Sequence, residues 1–311
     1  MKVCFFGVGG VGGYYGALLT RYFDSTGTGR TYFIARGRHG AAIVERGLTL
    51  KKDGGGAEIR VTPFACSNTV AGLPVCDMIV VSVKGYDLDA ATEQVAAITD
   101  DRTIVLPLLN GADIYERMRR RLDKGCIFAS CLYLGTHIES PGVIFQMGGS
   151  GQIAIGRDPL YPDIYPEKLI ELFRNAGILI EFHEDVNVEI WKKYIFIAPF
   201  ALVTAAWSKT IGEVAADARL ARLVRDIMKE IAAIAKALGI ELPPDIVETS
   251  FLKAGQFPFE TKTSFQRDVE TKGRQSEWDL FGGTVIRYAD KLGVPAENTR
   301  ATLEQLLKGL K

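Results

Sequence analysis

The chain of 311 residues lacks several features, and each absence narrows its chemistry. It has no surplus of either charge: Lys and Arg together number 37, Asp and Glu together number 37, and the formal net charge is zero. A protein that held nucleic acid through its phosphates would show a basic excess, so no nucleic-acid partner is expected. There are only three histidines, His39, His137 and His183, far apart and without metal-ligand spacing to the cysteines. No metal site is expected. The five cysteines, Cys4, Cys66, Cys76, Cys126 and Cys131, are odd in number and scattered, most of them in apolar strand-like contexts. They read as reduced, mostly buried thiols of a cytoplasmic protein rather than a disulfide framework. The opening MKVCFFGVGG has no long apolar core or cleavage site of a signal peptide. The apolar run after Lys193 falls short of the roughly 20 residues that span a bilayer, so no membrane partner is expected. Repeats and low-complexity tracts are missing too.

What is present begins at the first residues. KVCFF is a short apolar run of strand formers, and Gly7, Gly9 and Gly12 follow as G-x-G-x-x-G at the head of an apolar helical pattern. A lone match is weak, but strand before and helix after strengthen it. The first glycine permits a tight turn, the second lets the backbone approach a pyrophosphate, and the third allows close helix–strand packing. Gly10 and Val11 complete the loop, whose helix N-terminus supplies amide donors to an anion. The competing reading is a glycine-rich turn without a ligand. The next strand, TYFIA, ends not in the acidic residue that would hold a ribose 2′-hydroxyl but in Arg36, followed by Arg38 and His39. Guanidinium groups bind a 2′-phosphate as charge-assisted forks, so NADP(H) is the expected cofactor. DMIVVSVKG and TIVLPLLNG are near-continuous apolar runs, as expected of parallel strands buried on both faces. They end in Lys84-Gly85 and Asn110-Gly111, and ligands of open α/β sheets bind beyond such carboxyl ends. GLTLKKDGGGAEIRVTPF reads as a hairpin, and CIFASCLYLGTHIE, GVIFQMG, GQIAIG and ILIEFHED read as strands completing the sheet.

The period then changes to helical, which predicts two domains: residues 1–185 as an α/β dinucleotide-binding domain of Rossmann type and 186–311 as an all-α domain. Such a pairing usually forms its active site in the cleft between domains. VEIWKKYIFIAPFALVTAAW raises a question of its own, because it sets Lys192 and Lys193 at the head of a helix apolar on nearly every face. Such a helix is buried, and two adjacent ammonium groups cannot both easily reach water. Lys192 is expected to face solvent and Lys193 the cleft. The plainer alternative for Lys193 is a side chain that snorkels along apolar surface.

In order and spacing, GVGGVGG at 7–13, VKG at 83–85, LNG at 109–111, EIWKK at 189–193, SEWD at 276–279 and VPAENTR at 294–300 resemble the ketopantoate reductases over essentially the whole chain. The resemblance implies a helical domain like the C-terminal one of 6-phosphogluconate dehydrogenase. It also implies NADPH-dependent reduction of the 2-keto group of ketopantoate, giving pantoate for coenzyme A synthesis. It places the catalytic lysine at Lys193, its glutamate partner at Glu277, a substrate-contacting serine at Ser264, the asparagine beside nicotinamide and substrate at Asn110, and the cofactor-cleft lysine at Lys84. A hydride arriving at a ketone carbon builds negative charge on oxygen, so a proton donor there is chemically required. The sequence departs from the family at Ile197, Ala201 and Gly282, where asparagines are usual. That leaves open a less polar 2-keto acid. A β-hydroxyacid or polyol-phosphate dehydrogenase and a non-catalytic NADP(H)-binding sensor remain as alternatives. The partner expected is a small keto acid, with a homodimer left open.

Overall fold

The computed structural model describes residues 1–271 and 275–309. Two compact units emerge: Met1–Leu109 with Ile114–Val186, and Asn110–Asp113 with Asn187–Lys311.

The first unit opens with β1 (Lys2–Phe6), α1 (Gly10–Thr26), β2 (Arg30–Ile34), α2 (Gly37–Arg46), β3 (Leu48–Lys52), β4 (Ile59–Val61), β5 (Ala65–Ser67) and β6 (Met78–Val81). It continues with α3 (Leu88–Ala96), β7 (Ile104–Pro107), α4 (Ile114–Arg119), β8 (Cys126–Ile127), β9 (Ser130–Ser140), β10 (Val143–Gly156), α5 (Glu167–Asn175) and β11 (Ile180–His183). A six-stranded sheet in the order β5-β2-β1-β6-β7-β8 is parallel throughout. Its central strands carry apolar residues on both faces because both are covered: Val3, Cys4 and Phe5 of β1 and all four residues of β6 are buried. The chain leaves β1 towards β2 and later returns to β6 on the other side. That reversal opens a crevice at the carboxyl ends of β1 and β6, where doubly wound sheets bind ligands.

The apolar segments after residue 128 do not complete this sheet, contrary to the sequence expectation. Only β8 joins it; β9 and β10 form a long antiparallel hairpin in a second sheet ordered β11-β10-β3-β4. GVIFQMG and GQIAIG are one continuous strand, β10. Its first part pairs with β3 and its last part with β11, both parallel. Local alternation cannot show which edge a strand will find, because pairing is decided by partners far along the chain. The predicted hairpin is present as the antiparallel β3–β4 pair. Helix α1 packs against both sheets: a Cβ on Gly16 would meet Phe33 of β2 at 2.9 Å, and one on Gly13 would meet Ile144 of β10 at 2.6 Å.

The second unit is helical: α6 (Asn187–Trp207), α7 (Ile211–Ala216), α8 (Ala218–Ala237), α9 (Ile246–Leu252), α10 (Ser264–Glu270), a π-helical turn Asp279–Gly283, α11 (Thr284–Leu292) and α12 (Glu297–Gly309). Helix α6 is its axis, packed by α8, α10 and α12, which is why it is apolar nearly all round. The VPAENTR motif has a structural explanation here. Glu230 of α8, buried, accepts hydrogen bonds from the backbone N–H of Asn298 (2.8 Å) and Thr299 (3.0 Å) and from their side chains (2.9 and 2.6 Å). Those donors belong to the first turn of α12, whose N–H groups have no intrahelical partner, and the carboxylate also suits the positive end of the helix. Replacing Glu230 by Ala strands several buried donors and is expected to lower unfolding stability by about 2–4 kcal/mol. A urea titration reads it, and a loss below about 0.5 kcal/mol would remove Glu230 from this role.

Candidate active site

The glycine-rich turn lies at the switch point. Gly7, at φ +95°, and Val8 both donate their backbone N–H to the carbonyl of Ile34 in β2, at 3.0 and 3.2 Å. Ser82, just beyond β6, donates its hydroxyl to the Gly7 carbonyl at 2.8 Å. The turn is therefore tied to both neighbouring strands before any ligand arrives. Whether it suits a pyrophosphate is tested by what an added Cβ would meet. At Gly12 the space is filled, by the Gly7 oxygen at 2.2 Å and Ser82 Oγ at 2.3 Å; at Gly9, the N-cap of α1, nothing lies within 4 Å. No acidic residue occupies the first turn of α1. A loop packed tight on its strand side and open at its helix cap fits an anion held by helical N–H groups. Sequence reasoning missed Ser82, because a serine before V-K-G carries no local signal.

Arg36 is the N-cap of α2, exposed beyond the end of β2, and its guanidinium pairs with the carboxylate of Asp87. Asp87 lies in the short 3-10 turn Gly85–Asp87 that follows Lys84, and its N–H bonds the Lys84 carbonyl at 2.9 Å. Arg38 is exposed. His39 contributes no cation at neutral pH: burial pushes its pKa down, and Nδ1 accepts the N–H of Gly142 at 3.0 Å. Of the three basic residues after β2, two arginines can meet a phosphate.

In the helical unit, Lys193 Nζ donates to Asn110 Oδ1 at 2.8 Å, 83 residues away in sequence. Lys192 donates instead to Glu189 Oε1 on its own helix at 2.9 Å, so the adjacent lysines have different partners. The segment carrying Asn110 is anchored within this unit. Asp113 Oδ2 accepts from Thr284 Oγ1 at 3.1 Å and from Arg287 Nη2 at 3.2 Å, and Arg287 also holds Asp279. These contacts explain why residues 110–113 group with the helices although they follow β7 in sequence.

Glu277 is buried, at 7% exposure, rather than a solvated helix residue. Its carbonyl accepts the N–H groups of Leu280 and Phe281 at the entry to the π-helical turn. Tyr194, next to Lys193, donates its hydroxyl to the carbonyls of Leu280 and Phe281 at 2.8 and 3.2 Å. The turn of α6 that bears Lys193 is thus fastened to the turn that follows Glu277. Ser264 opens α10 and is exposed. Of the three positions where asparagines are usual, two face the interior: Ala201 is 3% exposed, and a Cβ at Gly282 would meet Leu303 at 3.2 Å and Leu202 at 3.4 Å. Ile197 is half-buried. Among the described residues no cluster of His, Cys, Asp or Glu could hold a metal ion, and no helix is long and apolar enough to cross a membrane.

This arrangement has relatives. The 2-dehydropantoate 2-reductase of Mesorhizobium japonicum is 27% identical, with 99% of this chain and 96% of that one aligned. The crystal structure of a PanE/ApbA family ketopantoate reductase from Ralstonia eutropha superposes with a TM-score of 0.89 at 26% identity, covering 100% of this chain and 98% of that one. D-mandelate dehydrogenase shares the fold, with a TM-score of 0.86 at 19% identity and coverage of 100% and 98%. The family model described as ketopantoate reductase PanE/ApbA matches residues 3–159, and its C-terminal counterpart matches residues 185–310. With both halves matched, the chain belongs to the ketopantoate reductase family of oxidoreductases.

Proposed function

We propose that this protein is an NADPH-dependent 2-keto acid reductase in which Lys193 protonates the carbonyl oxygen. Ketopantoate, reduced to pantoate in pantothenate and coenzyme A synthesis, is the substrate that family membership names first. The observation that carries the reading is the Lys193–Asn110 hydrogen bond, which holds an ammonium group at one defined place on a largely apolar helix.

The dinucleotide, held by the Gly7–Gly12 turn, supplies a hydride to the keto carbon when bound. The chain's task is the other half of the two-electron reduction. As the C=O bond becomes C–O, charge grows on oxygen, and Lys193 Nζ delivers the proton that closes the balance. Asn110 Oδ1 accepts from the same Nζ and so fixes where its remaining protons point. Glu277 is assigned to keeping Lys193 reprotonated, Ser264 to contacting substrate, and Lys84 to the nucleotide. Support for NADPH over NADH comes from Arg36 and Arg38, the two cations after β2. Binding a 2′-phosphate would have to draw Arg36 away from Asp87.

The test is NADPH oxidation with ketopantoate. Absence of turnover with this and other 2-keto acids, while NADPH binds, would sink the reading in favour of a sensor; turnover only of β-hydroxyacids with NADP⁺ would favour a dehydrogenase of that type. Arg36→Ala is expected to raise the Kd for NADPH by about 10- to 100-fold while leaving NADH within about threefold. Equal losses for both nucleotides would show that Arg36 does not read the phosphate. A second substrate reading, a less polar 2-keto acid, is favoured by Ile197 at the position one turn beyond Lys193. D-mandelate dehydrogenase shares the fold at 19% identity, so the substrate reading rests on the site residues and not on the architecture.

A further inference from the structure

We infer that the first unit carries a second anion site, fitted to a polyphosphate group and separate from the nucleotide turn. It lies between the side of α1 and the β3–β4 hairpin, and it does not depend on the role assigned to Lys193.

Helix α1 packs on β3 and β4, and the segment joining those strands leaves an open cavity of about 360 Å³ beside it. That volume is within the range of sites that take small ligands. Arg21 of α1, Lys52 at the end of β3 and Arg60 of β4 all line it. Among the described residues none of the three has an ion-pair partner. Lys52 Nζ rests over the Tyr14 ring, 5.9 Å from its centroid, a contact that leaves its N–H groups able to donate. The nucleotide turn is elsewhere. Arg21 stands about 16 Å along α1 from Gly10, given the helical rise per residue.

The backbone adds donors. Gly55 and Gly56, at φ +81° and +123°, border the cavity, and a Cβ on either would meet nothing within 4 Å. Their N–H groups have no acceptor among the described residues. Open N–H groups in such a turn suit phosphoryl oxygens, and guanidinium groups bind the same oxygens as paired donors. The nearby carboxylates are engaged elsewhere. Asp53 Oδ1 accepts the N–H of Gly54 at 2.9 Å, while the Asp53 N–H donates to the Gln146 carbonyl of β10 at 2.8 Å. Glu58 lines the cavity, with Oε1 3.8 Å from Lys51 Nζ, which Glu139 also holds at 2.9 Å. Three cations against one partly paired carboxylate leave a positive surplus. A lone phosphate would match part of it; linked phosphoryl groups, with more charge, match the whole.

The test is calorimetric titration of the full chain with inorganic pyrophosphate, without divalent cations, at about 0.1 M salt. A Kd below about 1 mM is expected, the same with NADPH present as without it. Arg21→Ala and Arg60→Ala should each weaken binding by about five- to tenfold, and Glu58→Gln should tighten it by about two- to fivefold, as Coulomb interactions near a surface require. All three side chains are exposed, so the variants should fold. The tightening is the decisive arm, because a variant that only disturbs the fold does not improve binding. Pyrophosphate that NADPH displaces belongs to the nucleotide turn, and that result overturns the inference. So does a Kd above about 1 mM, or an affinity left unchanged by any of the three substitutions. Citrate bound as tightly as pyrophosphate overturns the polyphosphate assignment.

Discussion

Lys193→Ala is expected to lower kcat for 2-keto acid reduction by about 10²–10⁴-fold, the range for removal of a positioned general acid. The loss should fall on kcat more than on KM, because the proton is needed as charge develops in the transition state rather than in the bound ketone. Lys192→Ala is the internal control. Its ammonium is engaged with Glu189 on the solvent side, so activity should stay within about threefold of wild type, as for other partly exposed ion pairs. Each variant removes one positive charge from one turn of one helix, so any difference between them reports position rather than net charge. Equal losses in the two variants, or a Lys193→Ala enzyme that retains a third of its rate, would take the proton-donor role away from Lys193.

The second large effect concerns the nucleotide turn. Gly12→Ala places a methyl 2.2 Å from the Gly7 carbonyl oxygen and 2.3 Å from Ser82 Oγ. The serine can rotate away, but the carbonyl is part of the β1–α1 turn and can move only if the turn moves. NADPH affinity should fall by about 100-fold or more and the melting temperature should drop, since the methyl forces a backbone shift in an already tight core. Gly9→Ala makes the contrast. Its φ of −87° suits an L-residue and the added methyl meets nothing within 4 Å, so the apo-protein should melt within a degree or two of wild type. Its NADPH affinity should nevertheless fall by about tenfold or more, because the methyl enters the space into which a pyrophosphate would approach. Fluorescence titration with NADPH and a thermal melt on both variants decide it. If Gly9→Ala binds NADPH as tightly as wild type, the turn is a packing feature and not the pyrophosphate site.

The sequence by itself determined the two architectures and their order. A strand, G-x-G-x-x-G and an apolar helix at the start, then runs buried on both faces, then a helical period, are local patterns that hydrophobic burial and backbone geometry translate directly. It also singled out Lys193, since an ammonium group at the head of so apolar a helix needs a reason. Pairing of distant segments was beyond its reach. Whether β9 and β10 join the parallel sheet or build a second one depends on edges that lie up to a hundred residues away, and alternation along a strand is the same in either case. Glu277 reads as a surface residue in a helical stretch, yet the folded chain buries it to 7% exposure just ahead of the π-helical turn. Gly282 and Ile197 read as two equivalent losses of an asparagine, yet one faces Leu303 and Leu202 in the interior while the other keeps surface beside Lys193. The tertiary structure also decided that Asn110 stands with the helices rather than with the sheet whose strand it follows. Asp113, three residues on, holds that segment to Thr284 and Arg287 across more than 170 residues of chain, and no local pattern encodes such a contact.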